Sequence, residues 1–199
     1  LMAEDYALGN QIPIVKKNCP YLRQETGINT AKRLSNLQWE YLLSSATTLA
    51  DSDPTHERTL FVIASLKSLK LRISELSERP SWSPVMSHFH RDHESNWWFR
   101  AFGKGSKERD VSLSNEFLEC LRRYRTHRGL TPLPTSDSAE PLIESRVKNR
   151  GIGSRQLRNI VEIAFNEGYD TLLGDGFEVE ASELRAATTH WLRHTGASM

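Results

Sequence analysis

Apolar positions along this chain recur mostly at helical spacing, with one stretch that alternates instead. The first helix is predicted from Ser35 to about Ala50. Ser35 and Gln38 match a capping box, and Leu34 and Trp39 stand where a hydrophobic staple would. Asp53-Pro54 opens a second helix with proline at its first position. Its middle, LFVIASL (60–66), is apolar nearly all round and reads as a central buried helix. It leads into LKLRISEL (69–76). Pro80, Pro84 and the aromatics around Trp82 and Phe89 then suggest loop and short strand. NWWFRAFG (96–103) and ERDVSL (108–113) read as two strands, with KGSK between them as a hairpin turn. A further helix is predicted from about Asn115 to Arg128, capped by Ser114 and stopped by Gly129. Pro132, Pro134, Ser136 and Pro141 mark a loop. Leu157, Ile160, Val161, Ala164 and Phe165 repeat at i, i+3, i+4, i+7 and i+8, giving a helix that Gly168 would end. A loop with Gly174 and Gly176 then precedes a last helix from about Ser182 to the end. The pattern predicts a mostly α fold with a small antiparallel β-sheet (α+β) over residues 34–199. Residues 1–33, with Gly9, Pro13, Pro20 and Gly27 and no sustained period, read as a linker or arm leading from an upstream domain.

Composition narrows the class. With 38% apolar and 26% charged residues the chain can bury a core and is not disordered overall. Its longest apolar run is too short to span a bilayer, and no secretory signal opens it. Cys19 and Cys120 lack the close spacing of a zinc or redox motif, and nothing requires them to pair. A reduced, cytosolic protein is the simplest reading. A net charge of +1 does not announce nucleic acid, but Arg100–Arg158 holds thirteen Lys/Arg against seven Asp/Glu. Basic side chains gathered this way form a footprint for a phosphate backbone.

Three segments carry candidate chemistry: LKLRISEL with Arg72 and Glu75, GKGSKER with Lys104, and TTHWLRHTGAS with His190, Arg193 and His194. Each has an ordinary reading alone: an amphipathic helix with an i,i+3 ion pair, a solubilising turn, a helix with a polar face. Together they supply what phosphoryl transfer on DNA needs. Two guanidiniums fork onto non-bridging phosphate oxygens and neutralise charge growing in a pentacoordinate transition state. A lysine on a hairpin tip reaches and protonates a leaving 5′ oxygen. His190, three residues before Arg193, shares its helical face, and Glu75 holds the arginine or histidine in place.

LRISEL, GKGSKER and HWLRHT, in this order, resemble the three motif regions of the tyrosine recombinases, or phage integrases. The resemblance covers roughly Arg33 to Met199 and implies that family's catalytic-domain fold. It puts the first catalytic arginine on Arg72, the hairpin lysine on Lys104, the histidine on His190 and the second arginine on Arg193. Glu75 falls on the acidic residue accompanying the first arginine, and His194 would support the site from the same helix. It implies site-specific DNA recombination or integration through a 3′-phosphotyrosyl intermediate, with no metal and no cofactor. Double-stranded DNA is the implied partner, with self-association as a tetramer on it. No membrane is involved, and the implied location is the bacterial cytoplasm and nucleoid. Lys70, Lys107, Arg109, Arg146, Lys148, Arg150 and Arg155 are candidate DNA-backbone contacts. Two departures stand out. The family usually has glycine where Lys70 stands. Its nucleophilic tyrosine follows the HxLRHT motif, whereas Tyr6, Tyr21, Tyr41, Tyr124 and Tyr169 all precede it; the nucleophile is therefore expected beyond Met199, leaving this fragment able to bind DNA but not to cleave it.

Two other readings compete. His88, His90, Asp92 and His93 spell the HxHxDH pattern of zinc-dependent hydrolases. The segment before it is proline-broken and no glycine follows, so exposed histidines on a loop or strand are the simpler account. The other is a DNA-binding module without catalysis.

Overall fold

A computed structural model describes residues 33–103, 107–145, 147 and 149–198. The arm expected at 1–33 lies, except for Arg33, outside them. Helix α1 (Asn36–Ser52) starts at the expected capping box: the Gln38 N–H donates to Ser35 Oγ at 3.1 Å, and the Ser35 N–H to Gln38 Oε1 at 2.9 Å. Asp53 caps a single 3-10 turn at Pro54–His56, and α2 (Glu57–Ser68) follows. Every residue from Leu60 to Leu66 is buried, because α2 packs against α1 and three later helices. The one-turn α3 (Ile73–Leu76) comes next, then strands β1 (Phe89–Arg91), β2 (Trp97–Phe102) and β3 (Glu108–Ser112). These form an antiparallel sheet in the order β1-β2-β3. Phe89 faces Phe99, and Ala101 faces Arg109. Phe89, Phe99 and Ala101 are buried, with the Phe89 and Phe99 rings 4.8 Å apart and Phe89 6.1 Å from Phe117 on the next helix. The sheet thus joins the helical core through its aromatic face.

Helix α4 (Asn115–His127) is capped by Ser114 and stopped by Gly129, whose φ of +71° is left-handed. Two helix boundaries differ from expectation. Helix α5 (Ser154–Gly174) runs straight through Gly168. That glycine is a packing residue: a Cβ there would lie 3.1 Å from Leu184 and 3.5 Å from the Leu42 Cα. Absence of a side chain, which reads locally as a stop, here lets α1 approach α5 closely. The expected single last helix is two, α6 (Glu178–Arg185) and α7 (Thr189–Ser198). Gln38 ties α1 to α6, its amide donating to the Glu180 carbonyl at 3.0 Å and to Glu183 at 3.1 Å.

The HTG half of the last motif locks α7 onto the core. Leu192 is fully buried. Thr195 Oγ1 accepts the Leu34 N–H at 2.9 Å and donates to the Trp191 carbonyl at 2.7 Å. Gly196 lies so close to the end of α2 that a Cβ would fall 1.9 Å from the Lys67 carbonyl oxygen. No helix among the described residues is long and apolar enough to cross a membrane.

Candidate functional site

Glu75 is the centre of the site. Its side chain is 1% exposed, and a buried carboxylate survives only with close donors. One oxygen accepts the Arg72 backbone N–H at 2.6 Å. Arg109, from β3, forks onto both oxygens at 3.1 and 3.2 Å and also donates to the Lys70 carbonyl at 3.1 Å. The Arg72 guanidinium stands farther off, 3.6 Å from Glu75, and is 44% exposed. The i,i+3 pair read from sequence as a surface feature therefore has a buried acid and an open base.

The backbone that presents Arg72 is unusual at Lys70, whose φ is +53°. This is the position where the resemblance leads one to expect glycine, and the left-handed turn is the physical reason. Lys70 keeps the conformation and supplies the carbonyl that Arg109 binds. The Trp82 indole N–H donates to the Glu75 carbonyl at 2.8 Å. The same ring stacks on His88 at 4.7 Å and on Phe102, at the base of the hairpin, at 5.1 Å.

Arg72 and His190 line one cleft of about 820 Å³ whose walls include Arg158, Val161, Phe165 and Arg185. Arg193, one turn along α7 from His190, is half-buried. Burial first, then the positive charge of Arg72, press its guanidinium below the ordinary arginine value; Glu75 acts in the opposite sense and Arg109 adds to the lowering. These couplings put Arg193 in the same electrostatic neighbourhood as Arg72, Glu75 and Arg109. Leu192 and Thr195 face the core, so helical periodicity turns His190, Arg193 and the exposed His194 the other way. Three motif segments distant in sequence thus meet at one place.

Lys104 lies outside the described residues, as do Arg146 and Lys148. Gly103, which adjoins Lys104, donates its N–H to the Lys107 carbonyl at 2.8 Å, and a Cβ on it would sit 3.3 Å from a Glu75 oxygen. Lys70, Lys107, Arg150 and Arg155 are exposed. Arg109, expected as a DNA-backbone contact, is built into the Glu75 site. Strand periodicity holds the signal for it: Val111 packs against the core, so Arg109, two residues earlier, takes the same face, opposite the small Ala101.

The HxHxDH residues do not converge. Asp92 is spent on its own turn, accepting the Glu94 N–H at 2.9 Å, the Asn96 N–H at 2.8 Å and the Trp98 indole N–H at 2.8 Å. Those donors, the indole above all, hold its carboxyl down at about 2. His88 accepts the Val85 N–H at 3.1 Å and is kept below its ordinary value chiefly by burial. His90 turns toward Asp110, and His93 is open to solvent. Among the described residues no group of three or more His, Cys, Asp or Glu side chains is placed to hold a metal ion.

No protein-family model matches the chain, and no curated protein matches it in sequence. Solved structures do match. The pre-cleavage complex of the XerH site-specific recombinase with its difH substrate aligns over 83% of this chain and 42% of that one, at 21% identity and a TM-score of 0.57. The post-cleavage complex of XerH with palindromic difH aligns over 93% and 46%, at 22% identity and a TM-score of 0.60. The chain spans less than half the length of these structures. Its fold is that of a tyrosine-recombinase catalytic domain: mostly helical, with one small three-stranded antiparallel sheet.

Proposed function

We propose that this chain is the catalytic region of a site-specific DNA recombinase that cuts through a 3′-phosphotyrosyl intermediate, residues 1–33 being the arm toward a further DNA-binding domain. One observation carries this reading: on this fold, Arg72 and His190 share a cleft while Arg193 lies within electrostatic reach of Arg72. Two guanidiniums beside one histidine suit a single phosphodiester. Arg72 and Arg193 hold the non-bridging oxygens and stabilise the charge that builds as the phosphorus gains a fifth ligand. His190 bonds the same phosphate or takes the proton of the attacking hydroxyl. Lys104 gives a proton to the departing 5′ oxygen. The Lys70, Lys107, Arg150 and Arg155 side chains, with Arg146 and Lys148, neutralise flanking phosphates, and four copies assemble on the paired duplexes.

The tyrosine comes from outside the described residues. Tyr41 bonds Asp175, Tyr124 stacks on Phe61, and Tyr169 lies under Arg185; none lines the cleft. The exposed Lys70, Lys107, Arg150 and Arg155 equally support a second reading, a duplex-binding domain that does not cut.

The test uses the full-length protein and the duplex it selects from a random pool, nicked beside the preferred phosphate. A covalent protein–DNA adduct is expected, abolished by Arg72→Ala or Arg193→Ala while binding, though weakened, persists. Binding without any adduct would overturn the recombinase reading in favour of the second; binding insensitive to salt would contradict both, because phosphate contacts release counterions.

A further inference from the structure

Which arginine satisfies Glu75 decides which is left for a ligand. Arg109 meets both carboxylate oxygens at hydrogen-bonding distance, whereas the nearest nitrogen of the Arg72 guanidinium stands at 3.6 Å. Arg109 also grips the Lys70 carbonyl, so it holds the segment on both sides of Arg72, two residues before and three after. Its place on the inward face of β3, opposite Ala101, makes the fork possible. A lysine there, with one point charge, could not reproduce it. From these distances we propose that Arg109 is a positioning residue: by occupying the Glu75 carboxylate it leaves the Arg72 guanidinium free to bind a phosphate. This rests on the reading of the site given above and adds to it a residue that need not touch the DNA.

The physical consequence is specific. Without Arg109, the Arg72 guanidinium is the remaining arginine group within 4 Å of the buried Glu75 charge among the described residues, and closing 3.6 Å to a normal charge-assisted bond takes less than 1 Å of side-chain motion. Arg72 then folds back onto Glu75 and its contribution to phosphate binding disappears. Neutralising Glu75 removes the competitor and should return Arg72 to the ligand.

The experiment measures how much Arg72→Ala weakens binding of a short duplex, at fixed low salt, in four backgrounds: unchanged, Arg109→Ala, Glu75→Gln, and Arg109→Ala with Glu75→Gln. Circular dichroism confirms folding, and Arg109→Gln replaces Arg109→Ala if the latter does not fold. Loss of a charge-assisted phosphate contact weakens binding about tenfold or more, and that factor is expected in the unchanged and Glu75→Gln backgrounds. It should shrink to within about twofold when Arg109 alone is removed, and return in the double background. A purely structural role for Arg109 would not restore it there. An Arg72 effect equal in all four backgrounds, or one not restored by Glu75→Gln, overturns the proposal while leaving the phosphate-site reading intact. No Arg72 effect even in the unchanged background defeats both.

Discussion

Replacing Gly196 by alanine sets two well-measured tendencies against each other. Inside a helix the change should stabilise, since alanine exceeds glycine by about 1 kcal/mol in helix propensity. Here the added Cβ would lie 1.9 Å from the Lys67 carbonyl oxygen and 3.0 Å from its carbon. An ordinary carbon–oxygen contact is about 3.3 Å or longer. The shortfall exceeds 1 Å, and both partners are backbone, so no rotamer relieves it. Either α7 moves outward, loosening the contacts of Leu192 and Thr195, or α2 deforms at its end. Overpacking of this kind typically costs about 1–3 kcal/mol and sometimes more. A shortfall this large against backbone atoms puts the cost at the upper end of that range, so after subtracting the propensity gain a net loss of roughly 2 kcal/mol is expected, which in a domain of this size lowers Tm by roughly 4–8 °C. Thermal unfolding followed by circular dichroism measures it. Gly174→Ala is the control, because a Cβ there meets nothing within 4 Å and the variant should be neutral or slightly more stable. An unchanged or raised Tm for Gly196→Ala would refute the close approach of α2 and α7, and with it the account of how the last motif is held.

Two further outcomes follow from local geometry. The Asp92 carboxyl is held at about 2, against an ordinary 3.8, by the Trp98 indole and turn N–H groups. A depressed value means the ionised form supports the folded turn above about pH 4, and this support is lost as pH falls toward 2. The indole N–H resonance of Trp98 should shift over that window; an identical acid profile in Asp92→Asn would contradict the assignment. At Lys70 a left-handed backbone costs a non-glycine residue about 1–2 kcal/mol, partly offset by the freedom glycine adds to the unfolded chain. Lys70→Gly should therefore be between neutral and about 1 kcal/mol more stable by chemical denaturation, and a clear loss of stability would show that the turn is not strained.

Much of this was legible in residue order. The capping box at Ser35 and Gln38, the all-apolar stretch of α2, the hairpin and the Ser114–Gly129 bounds of α4 are short-range features, set by periods and caps that act within a few residues. The three motif segments were likewise recognisable from residue type and spacing. What local pattern misjudged was glycine. Gly168 reads as a stop but serves as a contact surface, because its meaning depends on Leu42 and Leu184, far away in the chain. The break between α6 and α7 was missed as well, since nothing in the local sequence demands it. Above all, the role of Arg109 was hidden. Its charge suggested solvent and DNA, whereas its strand face, the small Ala101 opposite and the buried Glu75 turn it inward. Residue sequence alone determined most of the elements and picked out the segments that the fold brings together. Only tertiary packing decided which arginine neutralises the carboxylate and which stays open, because that choice rests on a difference of about half an ångström between groups distant along the chain.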